Sequence, residues 1–536
     1  MTHAVFNQSP IFADIDLWGT DAPLREAVEA NDAAGDDLAY FGRSRGSAQA
    51  FALGRDANTW PPRLRSFDEK GHRLDEVEFH PAWHVLMAHG MEAGLHASTW
   101  AGESHVVRGA KLYLSAQAEC GHICPLTMTH ASLAAISAEP ELAAEWRAKI
   151  LERTYDPVLR PLAEKTAVTI GMGMTENQGG TDVRANTTRA EPLAEPGLYA
   201  LTGHKWFMSA PMSDAFLVLA QAPGGLTCFL LPRVLPDGRR NALHIQRLKD
   251  KLGNRSNASS EVEFAGALAH RVGEEGAGVK AIIPMVTLTR LDCALASAAL
   301  MRLGLAVAIH HARHRTVFQR KLVDQPLMLA VLADLAMAVE AATALVFRLA
   351  RAFDRAGSDP SEAAYARLMT PVVKYWVCKA APAFLYEAME CLGGNGYIED
   401  GLLARAYREA PVNAIWEGSG NVMALDLLRV LSRDRDAAGT VLSEMQDAAS
   451  GDATLLDAVY ALPAMLAGLT EGGARQAAER IAVTSAASLL RRHAPPAVAD
   501  AFIENRLSGR AASTFTGIAD PAAARTLVDR AFPPDR

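Results

Sequence analysis

The chain has 536 residues, of which 49% are hydrophobic and 21% are charged, and its formal net charge is −8. This length allows about three or four domains, and the acidic balance excludes nucleic-acid binding by the surface as a whole while leaving room for a local basic patch. Six cysteines form no disulfide framework and no apolar h-region opens the sequence, so we expect a cytoplasmic protein without a signal peptide. The longest apolar stretches, 281–309 and 328–347, are interrupted by charges and predict core helices rather than membrane spans.

The first part of the chain, to about residue 165, predicts helices after an irregular start. Three prolines and the sequence EKGH in 58–84 indicate a long surface segment before the first strong helix. From about residue 168 the pattern changes to short, partly alternating segments with Gly, Pro and Asp turns between them. This pattern predicts a β-barrel or sandwich of about 100 residues.

Helical patterns return from about residue 277 and continue, with breaks at 355–360 and 392–401, to the Ala-rich last hundred residues. The predicted fold class is therefore mainly α with a central β-domain. We divide the chain into an N-terminal helical domain, a β-barrel domain, a helical bundle and a C-terminal helical domain, at 1–167, 168–276, 277–435 and 436–536.

Two glycine-rich stretches, GMGMTENQGGTD at 171–182 and LGGNG at 392–396, lack the context of a dinucleotide-binding fingerprint. Either they are turns and helix caps, or their backbone N–H groups lie against a cofactor. A similar choice applies to HKWFMSAPMSD at 204–214. Ser209 can hydrogen-bond a heteroaromatic ring while Trp206 or Phe207 packs against it, or the segment is simply a buried strand with one aromatic face.

Two further clusters favour structural interpretations. Cys120, His122, Cys124 and His130 lie close together, but one C-x₃-C pair without a second favours a helix with two buried thiols, and we predict no metal site. The basic stretch RLKDKLGNRS at 247–256 favours a solvated edge or loop.

The sequence PVNAIWEGSGN at 411–421 sets Glu417 between an aromatic ring and Gly-Ser-Gly. A helix is predicted to begin just after it, and a carboxylate beside a helix N-terminus is stabilised by the free N–H groups there. Local pattern alone favours a solvated charge. The alternative is a base held against a reactive substrate.

Four stretches in order, MTENQGGTDV, GHKWFMSA, LGGNGY and IWEGSGN, resemble the acyl-CoA dehydrogenase family over roughly residues 80–432. The sequence also resembles one branch of this family, the AidB-type proteins of the adaptive response to DNA alkylation. This closer resemblance rests on an added C-terminal domain and on the segments VFNQSP, FHPAWH, CPLTMTH, RLKDKLGNRSNAS and YREAPVNAIWEGSGN. The sequence departs from the family at Glu390, where glutamine is usual, and at FQRKL (318–322), which lacks a usual glycine and proline.

The resemblance implies a tightly held FAD, an acyl-CoA-like substrate and a homotetramer. Arg315 and Phe318 match an Arg-x-x-Phe motif that reaches a cofactor held by a neighbouring subunit, and Arg290 matches an arginine near the substrate mouth. The remaining cofactor-binding positions implied are Met174, Thr175, Gly180, Thr181, Met208, Ser209, Trp416, Gly418 and Asn421.

The same resemblance places Glu417 at the catalytic base. Dehydrogenation of an acyl thioester requires removal of an α-proton while a hydride leaves the β-carbon for flavin N5. A suitable base is ionised but poorly solvated, and we expect burial beside Trp416 to raise the pKa of Glu417.

Two functions follow. The first is an AidB-like flavoprotein that binds double-stranded DNA, limits alkylation damage and has weak, isovaleryl-CoA-like dehydrogenase activity. The second is a catabolic short- or branched-chain acyl-CoA dehydrogenase without DNA binding.

Residues 437–536 hold nine Arg, no Lys and eleven Asp plus Glu, a net of 9 − 11 = −2, so this domain is not basic as a whole. The candidate DNA-binding residues are Arg475, Arg480, Arg491, Arg492, Arg506 and Arg510.

Overall fold

The structure is a computed structural model and describes residues 2–508, 515, 517, 518 and 520–534, apart from the side chain of Arg435. Its α-helices are α1 Ala22–Ala30, α2 Leu38–Arg45, α3 Ala48–Thr59, α4 Pro81–Glu92, α5 His105–Ala118, α6 Ile123–Ile136, α7 Pro140–Leu151, α8 Gly278–His314, α9 Pro326–Arg355, α10 Pro360–Glu390, α11 Gly394–Tyr397, α12 Leu403–Asn413, α13 Gly420–Arg433, α14 Arg435–Ala448, α15 Ala453–Ala467, α16 Ala474–His493, α17 Pro496–Leu507 and α18 Pro521–Ala531. Its strands are β1 Arg63–Phe67, β2 Arg73–Glu78, β3 Ile170–Thr175, β4 Arg189–Pro192, β5 Leu198–Ser209, β6 Ala215–Ala222, β7 Gly225–Pro232, β8 Leu243–Leu248, β9 Ser259–Val272, β10 Thr316–Val317 and β11 Arg320–Lys321.

This element order confirms a mainly helical fold around a central β-domain. One segment differs from the prediction. Residues 58–84 contain the antiparallel hairpin β1–β2, in which Leu64 pairs with Val77, rather than only irregular surface chain. The EKGH sequence forms its turn, with Gly71 in the left-handed region at φ 86°. The prolines that suggested a loop lie outside the two strands, where they do not interrupt the pairing.

The chain separates into two compact units. The barrel unit comprises Gln49–Glu103 and Glu119–Thr289, and the helical unit comprises Met1–Ala48, Ser104–Ala118 and Arg290–Arg536. The division into four domains was drawn on sequence pattern and stays a prediction.

Seven strands of the barrel unit form one sheet in the order β3-β5-β4-β6-β7-β9-β8. The additional pairings β3–β6 and β5–β9 join strands that are not neighbours in that order, so the sheet curls on itself. Alternate side chains of these strands point inward and fill the interior, among them Leu201, Phe216, Phe229 and Phe264. The predicted β-domain is confirmed.

Glu119 forms a buried polar centre of the barrel unit, just before α6. Its carboxylate accepts hydrogen bonds from the backbone N–H groups of Gly121 and His122, from His122 Nδ1 and from the side chains of Ser256 and Asn58. Burial alone would raise the pKa of Glu119, but the hydrogen bonds and charge of His122 lower it to about 2. Of the two cysteines predicted to be buried here, Cys124 is buried and Cys120 is partly exposed.

Among the described residues, α8 and α9 are long and apolar enough to cross a membrane by length and composition alone. However, 94% and 83% of their most apolar windows are buried inside the protein, which confirms them as core helices. The charges that interrupt α9 are buried too. Asp334 pairs with Arg506, Glu340 with Arg530, and Arg348 with Glu444 and Glu362. Three of these partners lie in the last hundred residues, so the C-terminal helices neutralise the buried charges of α9.

We predict a pH-dependent effect of Glu119→Gln on the stability of the protein. The folded-state pKa of Glu119 lies below its ordinary value of 4.5, so its ionisation contributes stability that is present above the unfolded pKa and is lost as pH falls toward 2. The difference in unfolding free energy between wild type and variant should shrink by about 2 kcal/mol between about pH 5 and about pH 3. Urea unfolding at several pH values measures this, with Glu69→Gln at an exposed position as the control.

Candidate functional site

The loop between α12 and α13 holds Glu417 in an uncommon backbone conformation. Glu417 has φ 58° and Gly418 has φ 108°, so two successive residues lie in the left-handed region. The φ of Gly418 favours glycine at this position, and a Cβ atom there would also lie 2.6 Å from Met423 Cε, the flexible end of that side chain. For a residue with a side chain, this backbone region costs about 1–2 kcal/mol and persists only where the surrounding contacts impose it.

Two cationic side chains stabilise this left-handed backbone conformation by donating hydrogen bonds to three successive carbonyl groups. Lys374, only 1% exposed, donates from Nζ to the carbonyl oxygens of Trp416 at 2.9 Å and Gly418 at 2.7 Å. Arg290 Nε donates to the carbonyl oxygen between them, that of Glu417, at 3.0 Å. The backbone on both sides of Glu417 is therefore fixed by charged hydrogen-bond donors, which are stronger than neutral ones.

Arg290 is in turn oriented by Asp426 of α13. Arg290 Nη1 lies 2.8 Å from one carboxylate oxygen of Asp426, and Arg367 Nη2 lies 3.1 Å from the other. Burial alone would raise the pKa of Asp426, but the hydrogen bond from Arg367 and the charge of Arg290 lower it, so the carboxylate stays ionised. The sequence predicted Arg290 at a substrate mouth, and the structure shows it bound to the loop of Glu417.

Trp416 is half-buried and donates from Nε1 to Asn413 Oδ1 at 3.1 Å. Asn413 is buried, and its Nδ2 has no hydrogen-bond partner among the described residues. Asn421, in the first turn of α13, is exposed. Burial raises the pKa of the nearby Cys293 thiol well above its usual value, although the charge of Lys374 opposes this. Cys293 is therefore a neutral thiol next to the loop.

The barrel unit carries a second group of predicted residues, at the ends of β3 and β5. These two strands pair antiparallel, with Met172 opposite Ser209 and Thr175 opposite Phe207. Gly180 lies against the end of β3, since a Cβ on it would be 2.7 Å from Thr175 Oγ1. The structure thus brings together the six predicted cofactor-binding residues of this unit: Met174, Thr175, Gly180, Thr181, Met208 and Ser209.

The burial of each side chain along β5, where a bulge lies between Lys205 and Met208, decides which of these residues can face a ligand. Met208 is fully buried in the barrel interior, so only its backbone is available. Its neighbours point outward: Phe207 is 50% exposed, and the half-buried Ser209 has its Oγ 3.3 Å from Ser259 Oγ. Of the two aromatic candidates in the sequence, Phe207 is exposed and Trp206 is half-buried, so both side chains are more accessible than that of Met208.

A buried ion pair fixes the end of β3 to β5. Glu176 and Lys205 have fully buried side chains, and Lys205 Nζ lies 2.8 Å from Glu176 Oε1. Glu176 also accepts from the N–H groups of Thr187 and Thr188, and Lys205 donates to the carbonyl of Leu219 at 2.7 Å. The hydrogen bonds from Lys205 and Thr188 lower the pKa of Glu176 despite its burial.

The basic stretch at 247–256 is less solvated than its sequence predicted. Lys249 Nζ lies 3.6 Å from the ring centroid of Trp206 and also pairs with Glu261. Lys251 donates to the carbonyl of Asn257. Arg247 and Arg255 are exposed, as expected for a loop. Among the described residues there is no group of three or more His, Cys, Asp or Glu side chains placed to hold a metal.

The other predicted residues of the helical unit lie apart from the Glu417 loop in sequence. Gly393, at φ 58°, follows the end of α10, and a Cβ built on it or on Gly394 would meet no atom within 4 Å. Their backbone is therefore open to a ligand. Arg315 is half-buried at the end of α8, and Phe318 is 89% exposed at the tip of the β10–β11 hairpin.

The candidate DNA-binding arginines fall into two groups. Arg491 pairs with Asp452 and Asp500, and Arg506 with the buried Asp334, so their charges are neutralised within the protein. The exposed ones are Arg475, Arg480 and Arg492 of α16. Arg510 lies outside the described residues.

Comparison with protein families matches three consecutive parts of the chain. Residues 7–157 match the Adaptive response protein AidB N-terminal domain, residues 171–267 the acyl-CoA dehydrogenase middle domain, and residues 276–432 the acyl-CoA dehydrogenase C-terminal domain. The AidB protein of Escherichia coli (strain K12) is 46% identical over 516 residues, which cover 95% of each chain.

Solved structures have the same fold. The Caenorhabditis elegans ACDH-11 crystal structure in complex with C11-CoA has a TM-score of 0.83 at 27% identity, covering 99% of this chain and 93% of that one. An acyl-CoA dehydrogenase from Bacillus anthracis complexed with FAD has a TM-score of 0.63 at 17% identity, covering 84% and 80%.

We predict that Lys374→Met lowers the free energy of unfolding by about 2–4 kcal/mol, because two buried carbonyl groups lose a charged donor. Chemical denaturation measures this. Lys379→Met, on the exposed face of the same helix, is the matched control and should change stability by less than about 0.5 kcal/mol. Equal effects of the two substitutions would show that Lys374 does not stabilise the loop.

Proposed function

Because this chain belongs to the AidB-type branch of the acyl-CoA dehydrogenase family, we propose that it is an FAD-dependent oxidoreductase that accepts an acyl-CoA thioester. In its finer form the proposal is a protein with weak dehydrogenase activity, of the isovaleryl-CoA type, that also binds double-stranded DNA and limits alkylation damage.

The main support for the proposed enzymatic activity is the conformation of the Glu417 loop. A solvated loop glutamate needs neither a left-handed backbone nor charged donors on three successive carbonyls, whereas a base needs a fixed position relative to the C–H bond that it breaks. Lys374 and Arg290 supply that fixation. The half-buried position of Glu417 next to Trp416 also limits its contact with water.

Each unit, taken by itself, carries groups that suit a part of FAD. In the barrel unit, the outward Phe207 and Ser209 offer an aromatic surface and a hydroxyl to a heteroaromatic ring. In the helical unit, Asn413 Nδ2 is a buried donor without a partner among the described residues, and the open backbone of Gly393 and Gly394 suits a diphosphate. When bound, FAD supplies the hydride acceptor of the reaction.

The protein's own contribution is positional and electrostatic. The Glu417 carboxylate removes the proton from the α-carbon of the thioester. As negative charge develops on the thioester oxygen, that oxygen needs hydrogen-bond donors, and the backbone N–H of Glu417 is the candidate donor. The cations on the loop carbonyls keep this N–H and the carboxylate in a fixed mutual geometry.

We predict that Glu417→Gln lowers the rate of acyl-CoA dehydrogenation about 10²–10⁴-fold, because the amide cannot accept the α-proton. The variant should still bind FAD, which its visible absorption spectrum measures. Bleaching of that spectrum by a short branched acyl-CoA under anaerobic conditions measures the chemical step. Glu274→Gln, an exposed carboxylate of the barrel unit, is the control. Unchanged turnover in Glu417→Gln would remove this residue from the mechanism.

The DNA-binding part of the proposal is supported by the similarity to AidB over nearly the whole chain and by the exposed arginines of α16. The pairing of Arg491 and Arg506 reduces the number of cations available, so the expected electrostatic contribution is modest. A catabolic acyl-CoA dehydrogenase without DNA binding is the alternative, and the overall negative charge of residues 437–536 favours it.

A salt titration separates these two functions. If Arg475, Arg480 and Arg492 contact phosphates, replacing all three by Gln should weaken duplex binding and reduce the slope of log K against log salt by about 3. Fluorescence anisotropy of a labelled duplex measures both quantities. Arg239→Gln, on an exposed turn of the barrel unit, controls for the loss of surface charge. Absence of duplex binding by the wild type at low salt would leave the catabolic function.

We further propose a homotetramer and a cytoplasmic location. The homotetramer rests on the family resemblance through the Arg-x-x-Phe match at Arg315 and Phe318, and the cytoplasmic location rests on the cysteine usage of the chain.

A further inference from the structure

The N-terminal segment 5–12, which contains the sequence VFNQSP, crosses the end of α8 and the β10–β11 hairpin, and we call it the strap. Its two ends are held differently. Phe12 is buried, with its ring centroid 5.4 Å from that of His310 and 6.2 Å from that of Phe532. At the other end, Val5 and Phe6 are 70% and 80% exposed, so the part of the strap before residue 7 contributes little burial.

Asn7 is the residue through which the strap binds the hairpin. Its Nδ2 donates to the carbonyl of Thr316 at 2.8 Å, and its Oδ1 accepts from the N–H of Thr316 at 2.7 Å. The side-chain amide therefore pairs with both backbone groups of one residue, as a neighbouring strand would. In addition, the Asn7 carbonyl accepts from Arg315 Nη1 at 2.7 Å.

Only a few residue types suit this position. Asn7 has φ 53°, in the left-handed region, which asparagine enters more readily than most other residues with a side chain. Its amide carries both a donor and an acceptor, and both are used. Backbone conformation and hydrogen-bonding chemistry together therefore specify asparagine.

The hairpin needs such support because its turn is strained. The two turn residues, Phe318 and Gln319, have φ 50° and 64°, the combination that two-residue hairpins normally achieve with Asn-Gly. Phe318 is also almost fully exposed, so burial of its ring does not offset the strain. This is the segment at which the sequence lacks the glycine and proline usual in the family.

The strap also approaches the open glycine loop. Asn395, which follows Gly394, has its Nδ2 3.4 Å from Gln8 Oε1. Two consecutive strap residues, Asn7 and Gln8, thus contact the hairpin that carries Arg315 and the loop at 392–396. These two segments are the glycine-rich and arginine motifs for which we proposed a role in FAD binding.

We propose that Asn7 is a positioning residue for the cofactor. By fixing Thr316 and one amino group of Arg315, it sets the direction of the remaining N–H groups of the Arg315 guanidinium, which suits them to an anionic group such as the diphosphate of FAD. This inference rests on the proposed function for the identity of the ligand, whereas the contacts of the strap are independent of it.

The test uses Asn7→Gly in the full-length protein. Glycine keeps the left-handed backbone and the carbonyl that binds Arg315 but removes the amide. The expected results are a rise of about tenfold in the dissociation constant of FAD, measured by titrating the apoprotein, and faster deuterium exchange at residues 316–321. The thermal midpoint of the apoprotein should remain unchanged.

Ser9→Ala is the matched control, because Ser9 lies in the strap and its side chain, among the described residues, makes only a 3.5 Å contact with His311 Nδ1. An unchanged FAD dissociation constant in Asn7→Gly, or an equal rise in Ser9→Ala, would overturn the inference. If Asn7→Gly does not fold, Asn7→Ser, which cannot reach both backbone groups of Thr316, takes its place with the same criteria. If the wild-type protein does not bind FAD, the proposed function is wrong. If the wild type binds FAD and the Asn7 variant binds it with the same dissociation constant, only this inference is wrong.

Discussion

The site depends on one buried ammonium group. Lys374 lies on the long helix α10 and donates to two carbonyls that flank Glu417, so the position of a flexible loop is set by a rigid element. Burying a lysine costs several kcal/mol unless its donors are satisfied. Here the hydrogen-bond partners are backbone carbonyls, and the charge of Lys374 opposes the rise that burial causes in the pKa of the Cys293 thiol.

The barrel unit also contains a buried lysine, and there a carboxylate neutralises its charge. Glu176 follows β3 and Lys205 lies in β5, and their contact fixes the turn at 176–188 to the sheet. The consequence is a stable edge on which the next outward positions of β5, Phe207 and Ser209, are held. Each unit thus places its candidate ligand-facing residues beside a buried lysine, one paired with a carboxylate and the other with backbone oxygens.

The sequence predicts the fold well where periodicity is strong. The long helices, the change to short strands near residue 168 and the helix after Glu417 all appear in the patterns of apolar residues. The β1–β2 hairpin was missed because its prolines and turn residues outweigh two short strands. The motifs also locate Glu417 and Ser209, but not the residues that hold them. Lys374 is 43 residues before Glu417, within a helix whose pattern only indicates burial, and Asn7 contacts Thr316 across 309 residues. Such partners depend on tertiary packing and leave no local signal.

The charges buried along α9 have a consequence for how the protein can change. Asp334, Glu340 and Arg348 each take a counter-charge from the last hundred residues. A chain ending near residue 433 would keep α9 but leave these three side chains without those partners, and it would expose the apolar face of α9 that the C-terminal helices cover. The C-terminal helices are therefore not a module that can be gained or lost in a single step. Their acquisition or removal requires compensating substitutions in α9. The two segments are therefore expected to evolve together.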